Sequence, residues 1–340
     1  MRLIAPACCV SCLVLFPLAG CRQINTEINR FRATRHMQQG EQLLEEENLE
    51  AAVAAFEEAV KLDPQLAAAH SGLGIIYRRM GEFGRAIDCF AAAVRNSPYS
   101  FHDMFNLAQL YHFTKRLHDA VETYLAAIDL NPRDFDVQLD LGVCYHQMGD
   151  YKSAIERFNK AIEIDPDSPH AYVNLGVSLD AQGKYYETIS AYHQALERDS
   201  HQPLVLVNLS HTYMNQNRLK VARATLQLAI DMDPSLAAAR EGLGYCLFRL
   251  QHYDEAAESY IDALSLDSRL AKAHAGLGSI KMLEYIKDKT KSDLRENGME
   301  HWHRSLEINP NQRRIRKLIA KYTVPTIDPN TALLGVQQPK

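Results

Sequence analysis

The block Phe135–Ser168, FDVQLDLGVCYHQMGDYKSAIERFNKAIEIDPDS, decides the fold. Gln138, Leu141, Gly142 and Tyr145 stand three or four residues apart, so they share one face of a helix. Gly149 then marks a turn. Ala154, Phe158 and Ala161 repeat the helical spacing on a second helix, and Pro166 closes it. Gly142 lets the second helix approach closely, Ala154 and Ala161 leave holes, and the Phe158 ring is the knob. Outward from this block the same 34-residue frame recurs, with blocks starting at Ala33, Ala67, Phe101, Phe135, Pro169, Pro203, Ala237 and Ala271. Position 7 is Leu from Leu73 to Leu277, with Gln39 the exception. Position 8 is Gly40, Gly74, Gly142, Gly176, Gly244 and Gly278, with Ala108 and Ser210 as small substitutes. Position 24 is Phe56, Phe90, Tyr124, Phe158, Tyr192 and Tyr260, with Leu226 between the last two. Position 27 is Ala from Ala59 to Ala263. A fixed period of this length means stacked hairpins, none of which can bury its apolar face alone.

The pattern closely resembles the tetratricopeptide repeat family over residues 33–270, seven repeats without a gap. The resemblance implies an all-α fold, a right-handed superhelix of about eight helix-turn-helix repeats, with the first helix of each lining the concave side. The eighth repeat, residues 271–312, departs from the frame. Its closing Pro310 arrives eight residues late, and the charged stretch Glu284–Gly298 is expected to form an extended helix or a solvated loop. Trp302 takes the aromatic slot and Ser305 the Ala slot. Ile315, Leu318, Ile319 and Tyr322 at helical spacing, with basic residues between them, predict a capping helix over residues 313–322. The Pro-containing tail, residues 323–340, is expected to be disordered.

The first twenty residues read as a secretory signal: Arg2, then an uncharged apolar stretch from Leu3 to Leu18 too short to span a bilayer. Leu18-Ala19-Gly20-Cys21 looks like the lipobox of bacterial lipoproteins, which implies cleavage before Cys21 and lipidation of its thiol. Acyl chains contribute about 0.8 kcal/mol per buried CH₂. Arg22, not Asp, follows the cysteine. By the retention pattern of enterobacterial lipoproteins, this leans toward the outer membrane and a periplasmic location. Ile24, Ile28 and Phe31 have helical spacing, so residues 21–32 form a short linker or a leading helix.

The 340 residues are 46% hydrophobic and 23% charged, with net charge −5, or −6 without Arg2. A mildly acidic chain argues against general nucleic-acid binding, which needs a clustered basic excess. Gly72-Leu-Gly74 and its like lie inside helices with no strand before them, so they are not dinucleotide loops. No phosphate loop, zinc-protease or serine-hydrolase motif is present. The chain is read as non-enzymatic, without cofactor, metal or small-molecule substrate. His36, His70 and His274 share position 4 and are taken as half-buried packing groups. His301 and His303 diverge on one helix, and Cys144 and Cys246 are taken as small buried thiols.

If positions 4, 7, 8 and 11 face inward, positions 2, 5, 6, 9 and 13 face a partner. Asn106, Asp140, Asn174 and Asn208 at position 6 make a polar ladder able to grip an extended peptide backbone. The ladder resembles that in the repeat region of O-linked N-acetylglucosamine transferase. Phe105, Leu139 and Val173 at position 5, and Gln109, Val177 and His211 at position 9, complete the expected groove. The Lys of the chaperone-type carboxylate clamp is missing from position 5. The expectation is a lipid-anchored scaffold holding an extended or helical segment of an envelope protein, in assembly of a secretion, pilus or cell-wall complex. The alternatives are a glycan- or peptidoglycan-binding lipoprotein, or an accessory subunit of an envelope enzyme such as a glycosyltransferase.

Overall fold

The structure, a computed structural model, describes the backbone of residues 15–323 and the side chains of residues 25–323. All secondary structure in this span is helical, in two compact units, Met1–Pro166 and Asp167–Lys340. Unit 1 holds α1 (Leu15–Glu45), α2 (Leu49–Leu62), α3 (Ala67–Arg79), α4 (Phe83–Asn96), α5 (Phe101–Phe113), α6 (Leu117–Leu130), α7 (Phe135–Gln147) and α8 (Tyr151–Ile164). Unit 2 holds α9 (Pro169–Ala181), α10 (Tyr185–Arg198), α11 (Pro203–Asn215), α12 (Leu219–Met232), α13 (Ala237–Arg249), α14 (Tyr253–Leu266), α15 (Ala271–Lys287), α16 (Ser292–Ile308) and α17 (Arg313–Tyr322). Each odd helix up to α15 pairs with the next even one, so each unit is a stack of four hairpins, with α17 added to unit 2.

One left-handed residue makes each regular hairpin turn. Gly81, Gly149 and Gly183 have φ near +80°, and Glu47, Lys115, Asn217 and Gln251 adopt the same region at the same position of their repeats. The Glu82 amide donates to Tyr77 O at 2.8 Å and the Gly81 amide to Arg78 O at 3.2 Å, the paired bonds that close a helix on such a residue. In the eighth repeat this position is Tyr285, which stays helical, and α15 runs on to Lys287. The eight extra residues are thereby placed. Relative to α13 and α14, α15 gains four residues, α16 gains three and the turn gains one.

The ring at position 24 joins hairpins as well as helices. Phe56 is 1% exposed and lies between Gly40 of its own hairpin and Gly72 of the next. A Cβ on either glycine would come within 2.9 or 2.5 Å of the ring. Tyr260 sits in the same way between Gly244 and Gly276. In the eighth repeat the Trp302 indole takes the slot, with Nε1 donating to Ala275 O at 3.3 Å. Ser305 replaces Ala, and its hydroxyl donates to Ala271 O at 2.6 Å while accepting from the Gln312 amide at 2.7 Å, which ties α15, α16 and the start of α17 together. Position 4 has a polar task at the hairpin junctions. His70, Gln138 and Arg240 donate to the carbonyls of Pro64, Pro132 and Pro234, and His274 to that of Ser268.

Helix α1 carries residues 21–32 into the first repeat without a break. Residues 1–14, the side chain of Cys21 and the tail beyond Thr323 lie outside the described residues, so the signal, lipobox and disorder expectations fall outside them too. No helix of the described residues is long and apolar enough to cross a membrane.

Gly142→Ala drives a methyl into the Phe158 ring, where a Cβ would lie 2.5 Å from the nearest ring atom. Overpacking of this kind costs about 1–3 kcal/mol, to be read from the urea midpoint. Gln251→Gly relieves a left-handed side chain and is expected to raise stability by about 0.5–1 kcal/mol; an unchanged midpoint would show that this turn is unstrained.

Candidate partner-binding groove

The position-6 ladder is treated differently in the two units. In unit 1, Asn106 on α5 is half-buried and occupied: Arg78 Nη1 donates to its Oδ1 at 2.6 Å, and its Nδ2 donates to His102 O at 2.8 Å. Asp140 on α7 accepts from Gln109 Nε2 and from the Tyr124 hydroxyl, both at 3.2 Å. Burial pushes its carboxyl above the usual carboxylate range, and these two hydrogen bonds oppose the shift. Phe105 is half-buried and stacks on Phe101 at 6.0 Å, and Leu139 is half-buried on α7. In unit 2, Asn174 on α9 and Asn208 on α11 are half-buried, and their side-chain amides make no hydrogen bond within the described residues. Val173 and Val177 pack against the apolar cluster around Tyr192 and Leu226.

A trough of about 800 Å³ opens in unit 2, and of the sequence-predicted groove residues only His211 lines it. It is built mostly from positions 5, 9, 12 and 13 of the odd helices. Helix α13 contributes Glu241, Tyr245 and Phe248; α15 contributes Ser279, Met282 and Leu283; α17 closes the far side with Ile315, Leu318 and Tyr322. Tyr245 is 46% exposed, an aromatic face open to a ligand. Polar groups stand among them, with Asp180, Glu241, Lys272, Arg313 and Arg314 carrying charge. Burial raises the pKa of Glu241, while Lys272 and the Ala273 amide in the first turn of α15 oppose that rise. Asp180 accepts from Thr212 Oγ1 at 3.0 Å. Burial lowers the His211 pKa, Lys272 adds to this, and Asp180 opposes it. A trough lined by apolar and charged groups can hold an extended segment by its side chains.

The sequence reading missed Tyr245, Lys272 and the α17 wall. Glu241 stood in the position-5 column, where its lone carboxylate among apolar neighbours was the available signal.

Burial raises the Cys89 thiol to about 11 and Cys144 to about 12, so neither is a thiolate near neutral pH. His301 faces His274, with Nδ1 atoms 3.0 Å apart, while His303 is exposed. No group of three or more potential metal ligands comes together among the described residues.

Hairpins stacked through shared rings, with an open trough along their first helices, define an all-helical repeat scaffold. Residues 102–277, just over half of the chain, match the family model of the cilia and flagella-associated protein 70 C-terminal domain, and residues 37–101 match a tetratricopeptide repeat model. The chain belongs to this tetratricopeptide-repeat family. Comparison with curated proteins finds no match. Among solved structures, the C-terminal part of a repeat protein from Cytophaga hutchinsonii is 16% identical, covering 71% of this chain and 99% of that one, with TM-score 0.59. A tetratricopeptide repeat protein from Parabacteroides merdae is 17% identical over 79% of this chain and 99% of its own, with TM-score 0.54. The Cut9-Hcn1 complex of the APC/C is 17% identical over 81% of this chain and 53% of its own, with TM-score 0.57. These likenesses are of fold.

The His211 shift has a testable sign. The fold keeps this imidazole neutral, whereas the unfolded chain takes up a proton below about pH 6.5. The unfolded state therefore binds more protons, and the His211 contribution is lost as pH falls through that value. The stability advantage of wild type over His211→Gln is expected to shrink between pH 7.5 and 5 in urea titrations. A pH-independent difference would contradict the burial argument.

Proposed function

We propose that the chain is a non-enzymatic scaffold whose unit 2 trough grips an extended or helical segment of a partner protein. The observation that carries this reading is the trough itself: an open surface along α11, α13, α15 and α17 in which apolar side chains such as Tyr245, Phe248 and Leu283 stand among charged ones, Asp180 and Glu241 against Lys272, Arg313 and Arg314. The unoccupied amides of Asn174 and Asn208 on α9 and α11 support it, since each offers a donor and an acceptor to a backbone. We propose further that the chain is tethered to a bacterial membrane through Cys21, on the periplasmic side and at the outer membrane. There it would take part in assembling a secretion, pilus or cell-wall complex. The Leu18–Cys21 lipobox supports that part.

A photo-crosslinking residue at Tyr245, compared with one at Ile261 on α14, which is 57% exposed, tests the trough in the native envelope. Protein adducts are expected at Tyr245 and not at Ile261, and Glu241→Ala with Lys272→Ala, both in the trough, should reduce them severalfold without lowering the melting temperature. Equal labelling at both sites would remove the trough from the reading. Cys21→Ala should move the chain from the membrane pellet to the soluble fraction; unchanged fractionation would remove the anchor.

A further inference from the structure

We propose that the trough of unit 2 is filled by this chain itself: the segment Ala332–Val336 lies in it, and a partner binds by displacing that segment. The inference rests on reading the trough as a binding surface. Three observations lead to it. The first is where the tail begins. Tyr322 lines the trough and ends α17, so the chain beyond Thr323 starts at the edge of the trough. The second is reach. Leu333 is ten residues beyond Thr323, which allows up to about 33 Å when extended. Helix α15, the long wall of the trough, has 17 residues and so measures about 25 Å.

The third is chemistry. Ala332-Leu333-Leu334-Gly335-Val336 is an uncharged run whose apolar side chains match the exposed Tyr245 and Ile286 of the trough. Residues 324–340 carry only two charges, Asp328 and Lys340. Asp328 precedes the apolar run, on the stretch that must pass α17. That helix carries Arg313, Arg314, Arg316, Lys317 and Lys321 and no acidic residue, and none of the five makes an ion pair within the described residues. A short tether places the segment at an effective concentration in the millimolar range. Weak apolar contact then suffices for occupancy, and a partner must compete with it.

The test uses the full chain and no partner. A fluorescent amino acid placed at Ile286, which lines the trough and is 44% exposed, reports on cover through acrylamide quenching. Leu333→Asp with Leu334→Asp changes only residues beyond the described helices. This variant is expected to show quenching at least twofold higher and amide exchange in α17 at least threefold faster. A synthetic peptide of residues 324–340 should reverse both changes. Tyr245→Lys, on the opposite wall and with the tail intact, should produce the same release. Unchanged quenching and exchange in the tail variant would overturn the proposal. So would release that ignores Tyr245→Lys, because the tail would then lie elsewhere. Protection that vanishes on dilution would assign the trough to a second copy and also overturn it. None of these results touches crosslinking at Tyr245 to a partner, so partner binding stands or falls separately.

Discussion

The constraint on which the structure depends is the seating of one ring against two small residues. Phe56 meets Gly40 within its hairpin and Gly72 in the next, and Tyr260 meets Gly244 and Gly276. A single hairpin supplies half of that socket. Large buried rings contribute strongly only when surrounded on all sides, so folding of one hairpin is conditional on its neighbour. This is the nearest-neighbour coupling that makes such arrays quasi-one-dimensional. The exposed ion pairs, such as Arg85 with Glu57 at 3.5 Å, add little beside it.

The same socket governs the polar ladder. Position 6 borders the ring of the preceding hairpin, which is why glycine occurs there at Gly72 and Gly276 and why the Tyr124 hydroxyl reaches Asp140. A side chain at this position lies at a seam between hairpins. Whether it is available then depends on its neighbours: Arg78 engages Asn106, whereas no partner of that kind reaches Asn174 or Asn208. In unit 2 the opening lies one step round the helix, at positions 9, 12 and 13, where Tyr245, Phe248 and Leu283 stand.

The period made the hairpins, their turns and the knob positions legible, because each is a local pattern repeated many times. The site was less legible. Dividing a helix into an inner and an outer face assumes one neighbour, but each first helix touches its own partner and the hairpins on either side. Asp140 and Gly72 belong to that third contact. Arg78 bonding Asn106 across 28 residues, and His274 meeting His301 across 27, depend on rotamers at a packed junction. The trough needed one more thing that spacing does not give, the packing of α17 against Met282 of α15 and Trp302 of α16. The two ways left open for Glu284–Gly298 resolve as two lengthened helices joined by the short turn at residues 288–291, since Tyr285 stays helical where other repeats place a left-handed residue.

The division of those eight residues between two arms has an architectural consequence. A loop of the same size would leave the last hairpin as short as its neighbours, with a floppy crest. Lengthening both arms by about one turn, roughly 5 Å, raises a rigid parapet at the end of the row. Ile286, in the added turn of α15, lines the trough at a place where the hairpin before it has only the cap residue His252. The added turn thereby carries trough surface that a hairpin of ordinary height would lack.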